Sequence, residues 1–220
     1  MRRALKYGLV ALVVVVLAVG GFLAWWVLAD RAPGKPRLNA AGPTATGGPA
    51  TPDGPWHVVH DPEVFVGYRI KELFGDAVLK HTVVARTPAV TGRVTIAHDR
   101  VTQAVVRADL RQLESDREAR DTYIHDHALD SDTFPTGRFT LTAPIPLPAG
   151  VARGQAVHTK ATGRLELHGV TRPVTIDLDA RWNGPTIQVV GSAPITLADF
   201  HIDAPHTVSC TAASKRLVLK

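Results

Sequence analysis

Residues 163–182 constrain the fold of this chain more than any other stretch. Gly163, Leu165 and Leu167 alternate with Arg164, Glu166 and His168. A period of two sends successive side chains to opposite faces of an extended strand, so one face here is apolar and the other wet. Gly169 allows a turn. From Pro173 a second run alternates, with Val174, Ile176, Leu178, Ala180 and Trp182 set against Thr175, Asp177, Asp179 and Arg181. Together the runs predict a hairpin whose inward side is aliphatic or aromatic and whose outward side is charged.

The same pattern recurs along the chain. Val64, Val66, Tyr68 and Ile70 alternate with Phe65, Gly67 and Arg69, and Ala104, Val106, Ala108 and Leu110 alternate with Gln103, Val105, Arg107 and Asp109. Phe139, Leu141 and Ala143 alternate with Arg138, Thr140 and Thr142, and further runs lie at 81–86, 90–97, 186–195 and 208–219. Turns rich in Pro, Gly and Asp separate them. This is the signature of an all-β antiparallel sandwich or barrel. One segment departs from it. Ser115 followed by Glu118 reads as a capping box, the hydroxyl taking the Glu118 amide while the Glu118 carboxylate returns to the Ser115 amide. A helix is expected from about Asp116 to Leu129, lying between two strands, with Ala119, Tyr123 and Ala128 as its thin apolar side.

Upstream, Tyr7–Ala29 is a run of 23 uncharged residues, about 34 Å as a helix at ~1.5 Å per residue and long enough to span a bilayer core. Arg2, Arg3 and Lys6 precede it and favour a cytoplasmic N-terminus, while Trp25 and Trp26 sit where indoles favour the far interface. A cleaved signal peptide is the competing reading, since Val27-Leu28-Ala29 ends in small residues. The apolar run exceeds the ~7–15 residues of a signal core. Residues 1–6 are therefore read as a cytoplasmic basic end and 7–29 as a retained, single-pass anchor. Residues 30–55 form a linker in which 11 of 26 positions are Gly or Pro, with a root-mean-square span of roughly 25–30 Å as a flexible coil. Residues 56–220 form an extracytoplasmic domain.

The formal charge of +5 divides unevenly, because residues 54–220 hold 19 basic and 18 acidic side chains. The excess belongs to the anchor and linker, which removes the main support for nucleic-acid binding. Cys210 is the only cysteine, so no intramolecular disulfide can form. Catalysis finds no footing. There is no Gly-x-Ser-x-Gly elbow, no activated thiol, and no carboxylate within an apolar run that would raise its pKa. His125-Asp126-His127 resembles a metal cluster, yet helical neighbours two apart point about 200° apart and cannot share one tetrahedral ion. No catalytic residue, metal or cofactor is assigned.

By residue type alone the inward faces fit either a solid core or an elongated cavity. Three segments decide how that choice is read. Gly163-Arg-Leu-Glu-Leu-His-Gly-Val-Thr-Arg-Pro173, Ser115-Asp-Arg-Glu-Ala-Arg-Asp121 and Thr133-Phe-Pro-Thr-Gly-Arg-Phe139, in their chain order, resemble the YceI-like family over roughly Trp56 to Lys220. The resemblance implies a lipocalin-like extended antiparallel barrel, with one helix between strands, that holds a polyisoprenoid or quinone-like amphiphile. Val66, Tyr68, Ile70, Leu110, Tyr123, Phe139, Leu141, Leu165, Leu167, Val174, Ile176 and Trp182 would line its cavity. Arg120, Asp121 and His168 would meet a headgroup at the mouth, or else serve as local capping and ion-pair groups. Asp199-Phe-His201 also resembles a segment of the family. Gly67-Tyr-Arg-Ile-Lys-Glu72 looks like a variant of high-GC Gram-positive bacteria, and Trp56-His-Val-Val-His-Asp-Pro-Glu63 lacks the serine common elsewhere. The alternative to a lipid-binding protein is a non-catalytic envelope interaction module with a filled core.

Overall fold

The computed structural model describes residues 18–19, 33–39, 47–74, 79–203, 208–215 and 217–219. Twelve strands form a single sheet: β1 (Gly54–His57), β2 (Phe65–Phe74), β3 (Leu79–Thr87), β4 (Val90–Ile96), β5 (Arg100–Asp109), β6 (Thr136–Leu141), β7 (Ile145–Pro146), β8 (Ala156–Leu167), β9 (Val170–Trp182), β10 (Ile187–Pro194), β11 (Val208–Lys215) and β12 (Leu217–Leu219). The order is β1-β4-β5-β6-β8-β9-β10-β11-β2-β3, with β7 beside β5 and β12 beside β10. Every pairing described is antiparallel. The sheet curls into a half-barrel, and among the described residues β1 and β3 end the ladder. The isolated bridge Arg86↔Glu114 ties β3 to the segment after β5.

The expected hairpin is β8–β9, in register from Ala156↔Arg181 to Leu167↔Val170. Its two-residue turn places His168 at φ 50° and Gly169 at φ 69°, the positive-φ pair whose twist suits flanking strands. Gly169 is needed there twice over, since a Cβ would also sit 2.7 Å from the Phe134 ring. His98 and Asp99 turn β4 into β5 in the same way, at φ 52° and 54°. Pro173 falls inside β9 and not at its start. The position tolerates it because β10 pairs with β9 only from Asp177 onward, so Pro173 has β8 as its one neighbour there.

The helix differs from expectation. Helix α1 spans Glu118–Tyr123 only, and its N-cap, Arg117, makes no side-chain capping bond. The expected reciprocal box is replaced by Asp121, whose two carboxylate oxygens accept the Ser115 amide at 2.9 and 3.0 Å. The Ser115 hydroxyl takes weaker contacts from the Arg117 amide and Arg120, both at 3.3 Å. Glu118 and Asp121 both carry carboxylates, so either bond would be charge-assisted, and the fold gives the amide to Asp121. Asp121→Ala is therefore expected to cost about 1.5–3 kcal/mol, and Ser115→Ala distinctly less. Urea unfolding of both variants checks this, and equal costs would return the cap to Ser115.

After Tyr123 the backbone widens into a π turn over Ile124–Ala128, closed by the Leu129 amide on the Ile124 carbonyl at 2.8 Å. The extra residue in that turn rotates the inward face. Ile124, Ala128 and Leu129 face the sheet interior, and Tyr123 is turned out to 41% exposure.

Two apolar clusters hold the ends of the half-barrel. One joins Trp56, Val64, Val90, Val94, Ile96, Trp182 and Ile187. The other joins Ala85, Leu113, Ala128, Leu129, Phe200 and Ile202. Of the expected membrane-spanning segment 7–29, all but residues 18 and 19 lies outside the described residues. Among the described residues no helix is long and apolar enough to cross a membrane.

Candidate functional site

Between the two clusters the inward faces do not meet. They enclose a cavity of about 320 Å³, at the lower end of the range of small-molecule sites. Its wall takes residues from β2 through β10, and the π turn and the residue after it supply Ile124, Ala128 and Leu129. Nearly every lining side chain is aliphatic or aromatic. The lining also includes the polar residues Tyr68, Thr87, Thr159 and Asp203, and borders on Arg138 of β6. Thr87 is committed, its hydroxyl taking the Ala89 amide at 3.2 Å.

The burial pattern fits a void and not a packed core. Along β8 and β9 the outward residues are exposed, yet the inward Leu165, Leu167, Val174, Ile176 and Leu178 are only part-buried. Phe139 and Leu141 on β6 behave alike. All of these residues line the cavity, so the surface they leave uncovered faces into it. Gly163 shapes the wall at this level. A Cβ there would meet the Phe139 ring at 2.4 Å and the Thr140 carbonyl at 2.5 Å, so the absence of a side chain at 163 is what leaves room for the ring.

Ten of the twelve residues expected to line a cavity do so: Val66, Tyr68, Ile70, Leu110, Phe139, Leu141, Leu165, Leu167, Val174 and Ile176. Two do not. Tyr123 is exposed for the reason given by the π turn, and its ring leans on His127 at 5.3 Å. Trp182 ends β9 beyond the cavity and packs in the cluster of Trp56 and Ile187. Its indole N–H donates to the Gly184 carbonyl at 2.8 Å, and the Arg153 guanidinium lies 5.3 Å from its ring. Residues that the expectation omitted include Leu178 and Ala180, already legible in the alternation, and Ile124, Leu129, Leu197 and Ile202, which lie outside any strand.

None of Arg120, Asp121 and His168 is among the lining residues, and each has a local task. Asp121 holds the Ser115 amide, and Arg120 reaches Asp116 at 2.5 Å as well as the Ser115 hydroxyl. His168 Nδ1 donates to the Phe200 carbonyl at 3.1 Å, and its ring meets Phe134 edge-on at 4.8 Å. Arg172 donates to the neighbouring Asp199 carbonyl at 2.9 Å. The β8–β9 turn thus latches the 3₁₀ turn Leu197–Phe200 over one end of the cavity. The contacts made by these residues serve the capping and latching alternative. His125, once weighed for a metal, donates Nε2 to the Leu113 carbonyl at 2.9 Å.

On the outer side of the same hairpin the charges pair across strands. Lys160 meets Asp177 at 2.6 Å and His158 meets Asp179 at 2.8 Å. The Lys160 hydrogen bond holds the Asp177 carboxyl below the usual carboxylate range. The contrast between a charged exterior and an apolar interior gives the cavity one chemical character: its wall is apolar.

Residues 62–216 match the model of the YceI-like domain. Two UPF0312 proteins of Vibrio vulnificus, from strains YJ016 and CMCP6, are each 32% identical over 111 residues, which is 47% of this chain and 55% of theirs. The chain thus spans about half the length of these curated relatives. Among solved structures, a polyisoprenoid binding domain from Saccharophagus degradans, implicated in plant cell wall breakdown, superposes with a TM-score of 0.59 at 16% identity, over 74% of this chain and 97% of that one. Burkholderia cenocepacia BcnA superposes with a TM-score of 0.56 at 17% identity, over 70% and 95%. At these identities the likeness is one of fold.

Proposed function

The chain belongs to the YceI-like family, and from that premise we propose that it is a membrane-tethered lipid-binding protein, holding a polyisoprenoid or quinone-like amphiphile in the cavity of its half-barrel. The observation that carries the reading is the part-buried state of inward aliphatic residues around an apolar void. Burying hydrocarbon there is worth ~0.8 kcal/mol per CH₂, which for ten carbons is ~8 kcal/mol before ordering costs are subtracted. A related domain described as polyisoprenoid binding shares the fold. An interaction module with a filled core is disfavoured by the same void.

Residues 7–29 act as the single-pass anchor, with the N-terminus cytoplasmic and the domain outside. Support comes from the length of the uncharged run and the basic residues before it. The test is direct. Full-length protein is purified, extracted with organic solvent, and the extract weighed by mass spectrometry. A stoichiometric prenyl-containing species is expected. Repeated extraction of no lipid, from protein that also fails to take up an added polyprenyl or quinone, would sink the reading.

A further inference from the structure

The near-neutral charge of residues 54–220 conceals a segregation that the strand register creates. On the outer face, Arg107 of β5 lies directly opposite Arg138 of β6. Arg93 of β4 pairs with Val105, two positions before Arg107, and Arg164 of β8 pairs with Thr140, two positions after Arg138. Direct partners on neighbouring strands lie ~5 Å apart and diagonal ones ~7–8 Å, so the four guanidiniums form one block. The four strands carry two carboxylates: Asp109, and Glu166, which lies directly opposite Arg138 and two residues from Arg164 on the same face. Asp109 is taken by Arg111 at 2.8 Å. Among the described residues none of the four arginines has an ion-pair partner. Like charges placed opposite each other destabilise a sheet; Glu166 offsets one of the four, so the face keeps an excess of three positive charges that an external anion would relieve.

We propose that this face docks on an anionic lipid surface. The block is spread across four adjacent strands, and beside it lies a shallow groove lined by His57, Thr91, Arg93, Gln103 and Arg107 and by two valines, Val58 and Val105, with no Phe, Tyr or Trp. A broad cationic face without a large apolar anchor complements a plane of phosphates, and each basic residue near such a plane adds to the attraction. The location agrees. β1, at whose start the chain arrives from the segment read as linker and anchor, pairs with β4, so the basic face borders the strand that the tether enters. To that extent the inference rests on the anchoring part of the proposed function, and not on the cavity's ligand.

The experiment is arginine footprinting of the full chain. Protein is reconstituted in vesicles of phosphatidylcholine alone or with one third phosphatidylglycerol, treated with a dicarbonyl reagent, and analysed by peptide mass spectrometry. Modification of Arg93, Arg107, Arg138 and Arg164 should slow about fivefold in the anionic vesicles and recover in high salt, which screens surface attraction. The exposed Arg117, beside the helix, should not change. Equal rates in both vesicles would overturn the proposal, and protection by soluble polyphosphate but not by anionic vesicles would reassign the face to a free polyanion. Flotation of the same samples keeps the two ideas apart. A chain that fails to float with neutral vesicles loses its anchor, while protection on anionic ones still supports the docking face.

Discussion

Leu165→Trp is expected to leave the domain folded while it loses most of its bound lipid. Leu165 lines the cavity on β8, paired in register with Phe139, and its inward surface is only part-buried. In a packed interior the larger ring would force shifts costing typically ~1–3 kcal/mol. Here it has a void of about 320 Å³ to enter, so the destabilisation should stay under about 1 kcal/mol, below that overpacking cost. The space it fills is the space a prenyl chain would occupy. Far-UV circular dichroism and the urea midpoint should match wild type, and co-extracted lipid should fall severalfold. Ile176→Trp and Leu141→Trp, whose side chains line the same wall, should behave alike. Should every such variant unfold while no lipid is found in wild type, the interior is a core and the interaction-module reading takes over.

The opposite outcome is expected at Phe200. This side chain is 2% exposed, the largest of the fully buried ones among the described residues. It seats the 3₁₀ turn against Ala85, Leu113, Ala128 and Leu129. Phe200→Ala removes a buried aromatic at a point where His168 and Arg172 already hold the backbone, so the gap cannot close by simple collapse. The expected cost is about 3–5 kcal/mol, read as a large drop in urea midpoint with an unchanged slope. A cost near zero would mean that the turn is not part of the sealed end. Together the two variants separate wall from plug: one aromatic is added at little cost, the other is removed at great cost.

The alternation of β8 and β9 was legible because it is local. Side chains on a strand alternate whatever surrounds it, so outward Asp177 and inward Ile176 follow from the order of residues alone. The helix was less legible. Competition between the Glu118 and Asp121 carboxylates for the Ser115 amide depends on where the chain before the helix is held, here by the Arg86↔Glu114 bridge. A single-residue widening at Ile124 then turned Tyr123 outward, and no propensity marks that position.

By itself the sequence determined an antiparallel β domain, which face of each strand is apolar, where the β8–β9 hairpin turns, and a resemblance to the family that the comparisons bear out. Whether facing apolar surfaces touch or stand apart was decided only by the curl of the sheet, because residue type sets a preference for burial and not the distance to the opposite wall. The same holds for Trp182, apolar and inward by parity yet placed past the cavity by the length of β9. The arginine block is the clearest case. Arg93, Arg107, Arg138 and Arg164 are scattered over 72 positions in a domain whose charges nearly cancel, and only antiparallel register, which pairs residues far apart in the chain at ~5 Å, makes them one surface.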